Sequence, residues 1–220
     1  MITMKCDMAG AAAVLSTINL IAQAKLKVNV TAVVAACENL ISGNAYKPGD
    51  IVKTMKGKTI FIGNTDAEGR VTLVDSIYYT VTKENVSKVI DLATLTGAAI
   101  VSLGDLCAAT FTNNQDFLNE YHSAALDSDE AVWQLPLQDC YRDDIKHNEA
   151  DYINTASLVG GTPGSAAGAF LLEEFTEGKD WIHVDIAGPA HFGRDRGFYK
   201  KGASGYGVRT LYEFAKTISK

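Results

Sequence analysis

Short apolar runs of strand character alternate along this chain with longer runs spaced as helices, and that alternation constrains the fold most. Residues 28–36 end almost continuously apolar, as expected of a central strand covered on both faces. Residues 51–54 and 59–62 read as two strands joined by the turn Lys56-Gly57-Lys58. Residues 88–93 and 181–188 read as further strands, and 133–137 as an extended piece. Residues 9–26 place Val14, Ile18 and Ile21 on one face at helical spacing, and 71–81, 115–127, 166–175 and 208–218 are also helical. Residues 98–103 and 107–112 are apolar enough to be buried. Together these runs predict an α/β fold, a three-layer sandwich around a mixed, largely parallel sheet. No repeat, linker or compositional break divides the 220 residues, so one domain is expected.

Composition narrows the partners. A net charge of −6 argues against a general binder of nucleic acid or anionic membrane, and fits cationic partners such as metal ions and free amino termini. No apolar run is read as reaching the roughly 18–20 residues that span a bilayer, and the first residues lack the apolar stretch of a signal peptide. Cys6, Cys37, Cys107 and Cys140 form no C-x-x-C pair. They are expected to be reduced and mostly structural, in a cytoplasmic setting.

Chemistry concentrates in Asn64-Thr65-Asp66-Ala67-Glu68-Gly69-Arg70. On a helix, residues two apart point about 200° from each other, so Asp66 and Glu68 could share a cation only from an extended or turning segment. All-oxygen ligation suits Mg²⁺, Mn²⁺, Ca²⁺ or a carboxylate-rich Zn²⁺ site, although such acid pairs are also common on solvated loops. Asp7 precedes the first helix and could serve simply as its cap. Asp143, Asp144, Glu149 and Asp151 read as a solvated face. The glycine-rich residues 160–165 precede a helix but lack the Lys-Ser/Thr ending of a P-loop. His122, His147, His183 and His191 show no H-E-x-x-H spacing and read as structural or surface residues. Loops at the carboxyl ends of strands, 94–97 and 187–190 among them, are where such folds gather functional groups.

The motif at 64–70 resembles the signature of the cytosolic leucyl aminopeptidases, two-metal hexameric exopeptidases. Six companion blocks occur in the same order: 4–12 from Met4, Cys37-Glu38-Asn39, Lys47-Pro48-Gly49-Asp50, 93–98, Asp185-Ile186-Ala187-Gly188 and Lys201-Gly202-Ala203-Ser204-Gly205. The resemblance covers essentially the whole chain. It implies that Asp7 ligates the tighter-bound metal, Asp66 the exchangeable one, and that Glu68 bridges them. Arg70 would hold bicarbonate or a similar anion acting as base, and the Leu95 carbonyl would accept a hydrogen bond from the substrate amine. Met4, Thr94, Gly97, Ala187 and Ala190 would line a pocket for an apolar, leucine-like side chain. The cofactors implied are two divalent cations, Mn²⁺ or Zn²⁺ with Mg²⁺ also compatible, sharing a hydroxide that attacks the peptide carbonyl. The partners implied are peptide amino termini and five further copies in a homo-hexamer.

The same resemblance places a metal-binding lysine, a bridging aspartate and an oxyanion-stabilising lysine upstream of the Met4–Asp7 block. With Met1 first, the sequence reads as the carboxyl-terminal part of a catalytic domain, without that segment or an amino-terminal domain, carrying only part of the site and expected to hydrolyse leucyl substrates poorly by itself. The alternative is a non-catalytic assembly or interaction subunit that keeps the fold.

Overall fold

In the computed structural model of the protein, residues 1–156 and 164–219 are described. They form two compact units: Met1–Ala32, Ile90–Leu135 and Asp180–Lys220 make the first, Val33–Val89 and Pro136–Lys179 the second. The expected glycine-rich loop over 160–165 falls largely outside the described residues, and Gly164 and Ser165 belong to the helix that follows it.

In the first unit, α1 (Ala9–Ala24) opens with small residues that let its backbone come close to its neighbours. A Cβ built on Gly10 would sit 1.9 Å from the Leu92 carbonyl oxygen, so only glycine permits this approach of α1 to β3 (Lys88–Ala93). The helix stops at Lys25, whose φ of 54° is left-handed. The chain then returns through α3 (Gly97–Leu103), β4 (Ala108–Thr112), α4 (Gln115–Asp127) and β5 (Val132–Gln134). It closes with β7 (Asp180–Asp185), the short pair β8 (His191–Phe192) and β9 (Gly202–Ala203), and α6 (Val208–Ile218). The strand order is β3-β7-β4-β5. β4 pairs antiparallel with β7, Thr110 opposite Val184, and parallel with β5, Thr110 opposite Gln134.

The core of this unit joins Ile182, Val184 and Ile186 of the β7 run to Phe117, Leu118 and Tyr121 of α4 and Phe214 of α6. A local and a distant side chain start two of the helices. Asn114 Oδ1 accepts from the Phe117 N–H, and buried Glu130 accepts from the Gly207 and Thr210 N–H groups at the start of α6. Buried His183 shares a 2.6 Å hydrogen bond with Asp91, whose other oxygen accepts from Trp181 Nε1.

The second unit holds β1 (Ile51–Lys53), β2 (Thr59–Phe61) and β6 (Tyr152–Ile153) in one sheet, with α2 (Glu68–Lys83) packed on α5 (Gly164–Glu173). The hairpin predicted for β1 and β2 is present, Val52 opposite Ile60, and β2 pairs in parallel with β6. Arg142 fastens this unit, reaching Glu173 and Glu174 at 2.8 Å each and lying 4.8 Å from the centre of the Phe170 ring. Asp143 pairs with Lys146 and Asp151 with Lys58, so the acidic stretch is a solvated face, as expected.

The α/β class and the mixture of parallel and antiparallel pairing match the sequence expectation, the strands being shared among three sheets. Three local expectations do not hold. Residues 28–36 carry apolar side chains but form no strand. Residues 97–103 form a helix, with Ile100 and Val101 exposed rather than buried. The helical run Met4–Ala24 is long and apolar enough to cross a membrane by length and composition alone, contrary to the reading that no such run exists. Here α1 packs on α6 and places Ala13 and Ile21 in the interior.

Two consequences are measurable. The Gly10→Ala variant is expected to lose about 1–3 kcal/mol in urea unfolding, because the added methyl forces backbone apart; an unchanged midpoint would refute the close contact. Asp151 accepts from Lys58 Nζ and from the Thr59 N–H and hydroxyl, which hold its pKa down from 3.8 to about 2. A lowered folded-state pKa stabilises above the unfolded value and is lost as pH falls through the folded one. The Asp151→Asn variant should therefore show a shallower fall in stability between about pH 4 and pH 2 than the parent, measured by thermal unfolding at stepped pH.

Candidate functional site

In the first unit the expected site residues lie at the ends of β3 and β7. Asp185, the last residue of β7 and 1% exposed, organises them. Its Oδ1 accepts from the N–H groups of Leu95 (3.1 Å), Thr96 (3.3 Å) and Ala187 (3.1 Å), and its Oδ2 from the Thr96 hydroxyl at 2.6 Å. One carboxylate thus sets the backbone of both loops, 94–96 and 186–187. Thr96 then starts α3 by accepting from the Ala99 N–H, which leaves Gly97 exposed at the first turn.

Asp7 follows a single 3-10 turn, Met4–Cys6, and does not cap α1: that position belongs to Met8, which makes no side-chain capping bond. The Asp7 carboxylate instead accepts from the Thr94 hydroxyl at 2.7 Å. The cap reading therefore fails, and Asp7 and Thr94, 87 residues apart, form one constellation. Met4 is half-exposed on the preceding turn, Ala187 is partly buried, and Ala190 is buried in the core of the unit with its carbonyl accepting from Ser204.

In the second unit the 64–70 motif is neither extended nor wholly helical. A 3-10 turn, Thr65–Ala67, runs into α2, so Asp66 and Glu68 stand on either side of the junction. Asn64 caps the turn by accepting from the Asp66 N–H at 2.9 Å. Asp66 is exposed, while the Glu68 carboxylate accepts from Asn39 Nδ2 at 3.3 Å. Tyr46 lies close enough to feel Glu68: burial first, then the charges of Glu68 and Cys37, push its hydroxyl above its ordinary pKa. Arg70 is buried on the first turn of α2. Asp66 and Glu68 offer hard carboxylate oxygens, the donors that Mn²⁺, Mg²⁺ and carboxylate-type Zn²⁺ sites use, so the residues fit a divalent cation. Among the described residues, neither unit by itself groups three His, Cys, Asp or Glu side chains around a cation position.

Sequence reasoning missed two residues. Asp185 was visible only as part of a block, and Asn154 was passed over in a polar stretch. Asn154 is fully buried and bonds to the backbone of 63–67. An asparagine at the end of a two-residue strand carries no local signal of that role. Three of the histidines have structural partners: His147 stacks on Phe61 with ring centres 3.9 Å apart, His122 hydrogen-bonds to Thr110, and His183 to Asp91. All four cysteines are free, with Cys37 and Cys140 exposed rather than core-filling.

Comparison with known proteins identifies the family. The catalytic domain of the cytosol aminopeptidase family matches residues 1–212. The probable cytosol aminopeptidase of Clostridium perfringens is 53% identical over 98% of the chain, and that of Alkaliphilus oremlandii 51% identical over 99%. A mutant of tomato leucine aminopeptidase superimposes with a TM-score of 0.86 at 43% identity, over 97% of the chain. The chain spans 43% of the length of each of these bacterial relatives and 41% of the tomato structure. On the family match and on identities above one half, the chain belongs to the cytosol aminopeptidase family.

Proposed function

We propose that the chain serves a metal-dependent aminopeptidase that releases amino-terminal residues, preferentially apolar and leucine-like, from peptides. The observation that carries this reading is the 64–70 motif. It places Asp66 and Glu68 two residues apart across a turn-to-helix junction, within a family of aminopeptidases. The reading assigns Asp7, Asp66 and Glu68 to two divalent cations, Mn²⁺ or Zn²⁺, which when bound lower the pKa of water and polarise a peptide carbonyl. Every other role falls to the chain's own groups. Thr94 orients the Asp7 carboxylate through its hydroxyl, and Asn39 orients that of Glu68. Arg70, fixed by burial on α2, holds a bicarbonate-like anion that takes a proton. The loop tied to Asp185 presents the Leu95 carbonyl to the free α-amine, so that only an unblocked amino terminus is positioned. Met4, Thr94, Gly97, Ala187 and Ala190 shape the pocket for the first side chain.

The reading also takes the 220 residues as the carboxyl-terminal portion of an aminopeptidase catalytic domain, acting in the cytoplasm as a homo-hexamer. Buried Asp185 ties these loops through hydrogen bonds internal to the chain, which is the kind of support pre-organisation requires.

Any hydrolysis of leucyl-p-nitroanilide by the purified protein should require Mn²⁺ or Zn²⁺, and the N-acetylated substrate should stay intact. Asp66→Asn should lower the rate by roughly 100-fold or more, since a cation ligand is removed. Chelator-resistant cleavage, or equal cleavage of the blocked substrate, would count decisively against the assignment.

A further inference from the structure

The metal motif's backbone is held from outside its own sequence, by a residue whose chemistry matches the task. Asn154 follows β6 and is 0% exposed. Its Nδ2 donates to the carbonyls of Asn64 at 2.7 Å and Ala67 at 3.2 Å. Its Oδ1 accepts from the N–H groups of Gly63 at 2.9 Å and Asn64 at 3.2 Å. Its own N–H donates to the Phe61 carbonyl at 3.0 Å, so it engages residues 61 to 67 at five points. Both amide protons and the carbonyl oxygen of the side chain are used.

A primary amide is required here. Aspartate would set a carboxylate oxygen against two carbonyl oxygens, and leucine would remove the acceptor of the Gly63 and Asn64 N–H groups and the donor to the Asn64 and Ala67 carbonyls. The omission costs most at the buried bond to the Ala67 carbonyl, where water has least access to replace the lost partner. A second contact reinforces the first. A Cβ at Gly63 would lie 2.8 Å from Thr155 Cγ2 and 3.0 Å from Ile153 Cδ1, so the loop lies flush against the strand that carries Asn154.

The position of this clamp is informative. Ala67, whose carbonyl Asn154 holds, sits between Asp66 and Glu68 at the point where the 3-10 turn becomes α2. The angle between the two carboxylates is set by the backbone at that junction. Asn64, held by Asn154 through both its N–H and its carbonyl, is in turn the residue that caps Asp66. Every backbone segment on which Asp66 and Glu68 depend therefore converges on one side-chain amide.

We infer that Asn154 is a positioning residue for the cation site: it fixes the geometry at which Asp66 and Glu68 meet a divalent cation. The inference rests on the metal reading of those two carboxylates given above. Residues that orient metal ligands commonly change metal affinity by about 10–100-fold when removed, although they touch no metal.

The test uses the full chain and Mn²⁺ itself, with binding read by calorimetry and by the Mn²⁺ electron-spin signal. Amide exchange of the metal-free protein is followed at Gly63 and Asn64. Asn154→Ala should bind Mn²⁺ about 10–100-fold more weakly, with faster exchange at both amides. Tyr152→Phe, which removes the neighbouring 3.0 Å bond to Glu174, serves as a control for general loosening and should bind Mn²⁺ as the parent does. Should Asn154→Ala fail to fold, Asn154→Asp carries the same test, since it keeps size and the two accepted bonds but loses both donated ones. Parent-like Mn²⁺ affinity in the folded Asn154 variant overturns the positioning role, as does equal weakening in Tyr152→Phe. Parent-like affinity in Asp66→Asn, or no Mn²⁺ binding by the parent, overturns the metal reading and the inference with it.

Discussion

A buried carboxylate at the end of β7 sets the order of the first unit's loops. Asp185 gathers three backbone N–H groups and one hydroxyl onto two oxygens. An ionised group in the interior is stable only when its lone pairs are filled, and here the loops 94–96 and 186–187 fill them. The dependence is mutual: the loops need an acceptor for their orphan donors, and the acid needs donors to be buried at all. The result is a rigid strand-end surface on which Thr94 can reach Asp7.

The second unit solves the same problem with a neutral group. Asn154 both donates and accepts, which suits a loop that offers two carbonyls and two N–H groups rather than N–H groups alone. Asp185 and Asn154 thus mark two ways of freezing irregular backbone beside chemistry. The exposed Asp66 and the half-buried Glu68 stand on that fixed backbone, with Asn39 reaching the Glu68 carboxylate.

Much of this was legible in the sequence. Helices α4 and α6 fall where their periodicity predicts, because each has a strong apolar face and a clear start, Asn114 and Gly207. The β1–β2 hairpin follows from its glycine turn, with Gly57 at a φ of 86°. Residues 28–36 were misread because continuous apolar character says that a segment is attractive to a core, not that ladder partners exist for it. Asp7 looked like a helix cap because caps are local; its partner Thr94 is reached only through the fold. The carboxylate pair itself was read from the motif, whereas its supports Asn154 and Asp185 act across about ninety residues, beyond any local pattern.

The contact between Gly10 and the Leu92 carbonyl has a mechanical side. Most helices rest on their neighbours through side chains, which change rotamer and absorb displacement. At Gly10 the helix meets the strand backbone to backbone, with no side chain between them. Main-chain atoms at van der Waals contact have almost no compliance, and packed interiors already compress little. Asp7 stands three residues before that hard stop, on a short tight turn. Its distance from Thr94 is therefore set like a machined shoulder rather than a spring. The tilted rings of Phe117, Tyr121 and Phe214, by contrast, meet side chain to side chain.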